Sequence, residues 1–125
     1  MAQFDIEKER DILNDILEKY GLVAEFIEGS GDNDFLVKHV DIRCTDKWRK
    51  RGYKAWWTSG FHLSWDDCMT ETSQFLSKGI LYPIGKKNKA ANAMCVSWGN
   101  LKLPTFKTPT ELKMKLELRG ELSRD

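Results

Sequence analysis

No apolar run in the 125 residues is longer than a few positions, so no segment is long enough to span a bilayer. The three cysteines, Cys44, Cys68 and Cys95, are an odd number, lie far apart and form no CxxC pair. That argues against a disulfide framework and for reduced, partly buried thiols. There are only two histidines, His39 and His62. A zinc site drawn from these five residues would lack the close ligand pairs such sites use, so no metal is expected. Nor is a cofactor: GxxxxGK[ST], the GxSxG elbow and the dinucleotide fingerprint are all missing. The acids of the GSGDND stretch (29–34) do not follow the DxDxDG pattern of a calcium loop and read as a solvated turn. The N-terminus, MAQFDIEKER, is acidic and amphipathic, unlike a signal or transit peptide. A cytoplasmic protein without membrane contact is the expectation.

What is present is the composition of a folded domain, 41% hydrophobic and 31% charged. The length suits a single domain over 1–125, one that buries roughly 65–70% of its unfolded surface. A net charge of +1 conceals a strong asymmetry. Residues 1–34 hold ten acids against three bases, and residues 35–125 hold seventeen bases against nine acids. Such a chain can turn a positive surface to a polyanion while its acidic end faces away or meets a basic partner.

Periodicity divides the chain into helices and hairpins. Residues 3–20 carry Phe4, Ile12, Leu13, Ile16, Leu17 and Tyr20 mainly on one stripe, which predicts an amphipathic helix ended by Gly21. Leu22–Glu28 and Phe35–Arg43 read as strands of a hairpin. Lys47–Lys54 suits an exposed loop or the run-in to a strand, because burying its consecutive bases unpaired would be prohibitive. From Tyr53 to Trp65 the residues alternate. This predicts either one strand kinked at Gly60 or a hairpin turning at Ser59–Gly60, and strand lengths favour the hairpin. Ser64 then caps a helix that runs to about Lys78, with Cys68, Thr72, Phe75 and Leu76 inward and Gly79 as its stop. Asp66 and Asp67 belong to its first turn, where the dipole favours carboxylates.

Ile80–Ile84 reads as a short strand that lies at an edge or ends at Pro83, and Gly85–Asn92 as a basic loop. Met94–Trp98 and Leu101–Phe106 read as a hairpin across Gly99–Asn100. Thr108-Pro109-Thr110-Glu111 is a good helix start, although Leu112, Met114, Leu116 and Leu118 alternate as a strand would; helix is chosen. The expected class is α+β: an N-terminal helix on a largely antiparallel, hairpin-built sheet, with a middle helix and a C-terminal helix.

One stretch concentrates binding chemistry. Lys47–Trp65 contains four of the five tryptophans and opens with a run of bases. Nucleic-acid grooves need cations to displace counterions from phosphates and exposed rings on which bases stack. Lys47, Arg49, Lys50, Arg51 and Lys54 supply the first; Trp48, Tyr53 and either Trp56 or Trp57 supply the second. Lys86, Lys87 and Lys89 would extend the track. Phe61, Leu63, Trp65 and Trp98 are assigned to the core. Five phosphate contacts imply a log–log salt slope of roughly −3.5 to −4.5 and no sequence specificity. The same residue types make protein hot spots, so the second expectation is an inhibitor or adaptor of a nucleic-acid enzyme, with the acidic helix mimicking phosphates. The third is a small phosphoester hydrolase using His62 as general base beside Lys54 or Arg51. His39, Asp41, Asp66, Asp67 and Glu71 complete the inventory for such a site, but no motif joins the histidines and no catalytic residue is assigned.

Overall fold

The computed structural model describes residues 6–28, 38–54, 56–60, 64–88 and 93–120. The elements run α1 (Ile6–Glu18), β1 (Leu22–Glu28), β2 (Lys38–Cys44), α2 (Asp46–Arg49), β3 (Trp56–Thr58), α3 (Trp65–Ser77), β4 (Ile80–Asn88), β5 (Ala93–Leu101) and α4 (Pro109–Leu118). The class is the α+β one read from the sequence, with two antiparallel sheets, β1-β2-β3 and β4-β5. No helix among the described residues is long and apolar enough to cross a membrane.

α1 forms where the apolar stripe predicts it, and Leu13, Ile16 and Leu17 are buried against the sheet. Gly21 then takes φ +72°, the left-handed conformation that ends a helix most cheaply as glycine. β1 and β2 pair with Leu22 opposite Cys44, Ala24 opposite Ile42 and Phe26 opposite Val40. Partners in an antiparallel ladder share a face, and these are the inward ones, with Leu22, Ala24, Val40, Ile42 and Cys44 all buried. On the outer face Arg43 reaches Glu25 at 3.1 Å.

Side chains add to the pairing of this sheet at two places. On the outer edge of β1 the Asn14 amide of α1 donates to the Ala24 carbonyl at 3.1 Å and accepts from the Ala24 N–H at 2.7 Å, as a neighbouring strand would. Beyond the end of β3 the Ser59 N–H donates to the Val40 carbonyl of β2 at 2.9 Å, and the Ser59 hydroxyl accepts from the Val40 N–H at 2.9 Å. The pairing of β2 with β3 thus ends on a side chain, and each place presents fewer bare backbone groups.

α3 starts at Ser64, whose hydroxyl accepts from the Asp67 N–H at 3.1 Å, as expected of that cap. It buries Cys68, Met69, Thr72, Ser73 and Leu76, and Gly79 ends it at φ +93°. α4 is a helix, the choice taken over strand; Thr108 caps it, Pro109 opens it, and Leu112 and Leu116 face the core while Met114 and Leu118 are exposed. A buried acid on α1 holds its first turn: Glu9 accepts from the Thr110 N–H at 3.2 Å and from its hydroxyl at 2.5 Å. The helix dipole and two donors make that burial affordable for a carboxylate. Glu111 in the same turn accepts from the Lys107 N–H, and this bond holds its carboxyl below the usual range.

The hairpin expectations need correction at three places. Trp65 is the first residue of α3, so neither a kinked strand nor a hairpin runs through it; β3 is three residues long. Phe61, His62 and Leu63 lie outside the described residues, as do 29–37. Gly99–Asn100 is not a turn but part of β5, opposite Tyr82 and Leu81 of β4. The partner of β5 is therefore the strand before it, and Gly85–Asn88 is strand rather than basic loop. Gly and Asn are poor strand residues, but the backbone pairing with β4 continues through both, which overrides their turn preference. Leu101–Phe106 does not pair as a strand beyond Leu101. It lies along α3 instead: the Leu103 N–H donates to the Leu76 carbonyl at 2.9 Å, and the Phe106 N–H to the Ser73 hydroxyl at 2.8 Å.

Gly21 carries a second constraint besides its backbone. A Cβ built there would overlap Cδ1 and Nε1 of the Trp48 indole and lie 3.1 Å from Pro83 Cγ. Gly52 shares the left-handed conformation at φ +93° but faces open space. Gly21→Ala should therefore cost roughly 3–5 kcal/mol in denaturant unfolding, and Gly52→Ala only about 1–2 kcal/mol. Equal costs would refute the Gly21–Trp48 contact.

Candidate functional site

The basic run expected as loop or strand lead-in opens with one helical turn, α2, and only then continues as turn and loop through Lys54. Four residues cannot hold a helix by local bonds alone, because nucleation is costly. Tertiary anchors do so here. The Thr45 N–H donates to the Gly21 carbonyl at 2.9 Å, and the Thr45 carbonyl accepts from the N–H groups of Trp48 and Arg49, each at 3.0 Å. Trp48 goes inward, its indole seated on Gly21 and half-buried. Lys47, Arg49, Lys50, Arg51 and Lys54 are all exposed around it.

The rings are less available than the alternation suggests. Tyr53 was expected at the surface and is 2% exposed, a core residue. The chain turns at Gly52, φ +93°, and the Tyr53 N–H donates back to the Trp48 carbonyl at 3.2 Å, which sends the phenol inward. There it meets Trp48 edge to face, centroids 5.1 Å apart. Trp57, opposite Ile42, lies between sheet and α3 and stacks on Phe75 with centroids 4.2 Å apart and planes 7° from parallel. Trp57, one of the two tryptophans left open, is thus packed. Trp56 lies opposite Arg43 in β3; its side chain is outside the described set. Trp65 packs on Phe26, centroids 4.8 Å apart, in keeping with its core assignment.

Trp48 is covered by cations. Arg51 Cζ is 5.0 Å and Lys47 Nζ 5.7 Å from its ring. Two such contacts at a solvated site are together worth about 1–2 kcal/mol, the size of one base stack, about 1–3 kcal/mol. A base displacing them would gain little. Trp48 lies beneath Lys47 and Arg51, which already occupy its ring.

Asp46 is the acid within the cluster. Its hydrogen bond from Arg49 and that residue's charge, with Lys50 and Arg43 further off, hold its carboxyl below the ordinary 3.8. Arg43 was not singled out in the sequence, although it precedes the run by only four positions; its part in this field is visible only once β2 sets it beside α2. Lys86 and Lys87 sit in β4 opposite Cys95 and Met94. Their side chains, and Lys89 altogether, lie outside the described residues.

Of the two histidines only His39 is described. His62 is outside the described residues. His39 Nε2 stands 3.7 Å from Asp41 Oδ1, and the Thr58 hydroxyl donates to that same oxygen at 2.7 Å. A hydroxyl donating to the carboxylate is not activated as a nucleophile by the histidine. Among the described residues no three His, Cys, Asp or Glu side chains gather to hold a metal ion, and Cys44 and Cys68 are buried free thiols.

Compared with protein-family models, curated proteins and solved structures, the chain matches none. The functional reading rests on the chemistry of the α2 surface.

Because the folded pKa of Asp46 is depressed, its tie to Arg49 is complete above 3.8 and is lost as pH falls through the lower folded value. A carboxyl-detected NMR titration should place the Asp46 midpoint below 3.8, and Arg49→Ala should move it upward. A midpoint at or above the ordinary value in the parent chain would contradict the pairing.

Proposed function

We propose that this chain is a non-enzymatic binding protein that engages the phosphate backbone of nucleic acid through the surface of 47–54. The observation that carries the reading is the display of five exposed cations on the anchored turn α2 and the five residues that follow it. Only Arg49 among them has an ion pair with a described residue. Residues 46–54 carry a net charge of +4. Water-facing cations held on a rigid seat release phosphate counterions with little loss of side-chain freedom, which favours binding that is strong at low salt and blind to sequence. Rings contribute less than the sequence implies, since Tyr53 and Trp57 are engaged in packing.

The acidic row on α1 favours a second reading, a protein that occupies a nucleic-acid enzyme or complex as an inhibitor or adaptor. Glu7, Asp11, Asp15 and Glu18 are exposed, three or four residues apart, on the side away from the apolar stripe. Four helical residues rise about 6 Å, so such a row can imitate spaced phosphates to a basic partner.

The two separate by experiment. Fluorescence anisotropy with labelled duplex and single-stranded oligonucleotides should give a steep salt dependence. Arg49→Ala/Lys50→Ala/Arg51→Ala should flatten that slope by about 2.7 and weaken binding more than tenfold at about 50 mM salt. Thermal stability should fall only slightly, since none of the three is buried and the Arg51 contact with Trp48 is worth about 0.5–1 kcal/mol. Absence of parent binding at that salt would sink the nucleic-acid reading. Affinity capture with parent and Asp11→Lys/Asp15→Lys baits then tests the second, which requires a basic partner retained by the first and lost by the other.

A further inference from the structure

A second cationic site lies where α3 hands over to β4. Lys78, Gly79, Asn100 and Lys102 line a cavity of about 400 Å³. Both lysines are exposed, and neither has an ion pair with a described residue. The stem of Lys102 lies across Gly79, with its Cγ 3.5 Å and its Cε 3.6 Å from where a Cβ would stand.

A bland explanation exists: lysines at the C-terminal end of a helix offset the negative end of its dipole. Magnitudes decide against it as the whole account. The dipole end is worth about half a unit of negative charge, against two full positive charges. That end is also partly satisfied already, because the Phe75 carbonyl accepts from the Lys78 N–H at 3.3 Å and the Leu76 carbonyl from the Leu103 N–H at 2.9 Å. A residual charge of about +1.5 faces an open cavity, with an Asn100 amide beside it. That is a match for a phosphate group.

The strand that leaves this site, β4, reaches the seat of α2. Pro83 touches the Gly21 seat of Trp48. Gly79 is four residues back along the same strand line, about 13 Å at the usual rise per residue. A duplex offers one charge per about 1.7 Å of axis, so a span of that size presents about seven or eight phosphates. We propose that the Lys78–Lys102 cavity is a second phosphate subsite, so that the chain grips a polyanion at two points. The proposal rests in part on the nucleic-acid reading of α2, and the test keeps the two apart.

With a 20-base-pair duplex, Lys78→Ala/Lys102→Ala should flatten the salt slope by about 1.8 while leaving the α2 contacts in place. Combined with the α2 triple variant, the two losses in slope should add. An unchanged slope in a parent chain that binds duplex overturns the subsite and leaves the α2 reading standing. If the parent chain binds no duplex, the α2 reading fails, and the subsite is tested alone with inorganic pyrophosphate. Saturable shifts of the Gly79 and Asn100 amide resonances, abolished in the double variant, support it; no shift at millimolar pyrophosphate overturns it. Both lysines are exposed, so the variants should fold, and coincident thermal unfolding of parent and double variant checks this.

Discussion

The seat of Trp48 on Gly21 is the contact on which the charged surface depends. A glycine in the left-handed region is needed to end α1, and the same missing Cβ opens a place for an indole. Through that indole a four-residue helix gains what its own hydrogen bonds cannot supply, a fixed position against the body of the domain. The Gly21 carbonyl adds a bond to Thr45, so the end of the first helix and the start of the second are joined at both backbone and side chain. Lys47 and Arg51 then lie over the ring that anchors them. Fold and charge display are one construction here: loosening the seat would scatter the cations.

The aromatic residues divide between two tasks on this basis. Tyr53, Trp57 and Trp65 are consumed by packing, each against another ring: Trp48, Phe75 and Phe26 respectively. Ring pairs in edge-to-face or stacked contact add about 0.5–1.5 kcal/mol beyond their buried area. They explain how a domain with only three short strands in its larger sheet closes its core. The charged surface is left with cations, and with one ring that serves them from below.

Much of the fold was legible in the sequence because it was written in local signals. The stripe of α1, Gly21, the Ser64 and Thr108 caps and Gly79 each depend on neighbours a few residues away, and all occur where those signals put them. The failures are non-local. Gly99–Asn100 has turn chemistry, yet the strand passes through it because β4 supplies partners along its whole length. Alternation from Tyr53 to Trp65 looked like strand throughout, but Ser59 ends the ladder with its side chain and Ser64 starts a helix five residues later. For the surface, the exposed bases were legible because a run of unpaired cations has nowhere to go but solvent. Tyr53 was not, because its burial follows from the turn at Gly52 and not from its place in the alternation. The Lys78–Lys102 cavity was invisible for the same reason: its residues come from the end of α3 and from the last positions of β5 and just past it.

The bonds between Glu9 and Thr110 join positions 101 residues apart. They close nearly the whole chain into a loop, and the entropy of that closure has to be met before the contact returns anything. A partly folded chain that has formed α1 and the first sheet still carries a carboxylate in a position that becomes buried, with its partners not yet in place. Completion of the domain is thereby tied to the arrival of its last helix. The topology is one of late closure, in which contacts distant in sequence set the pace of folding.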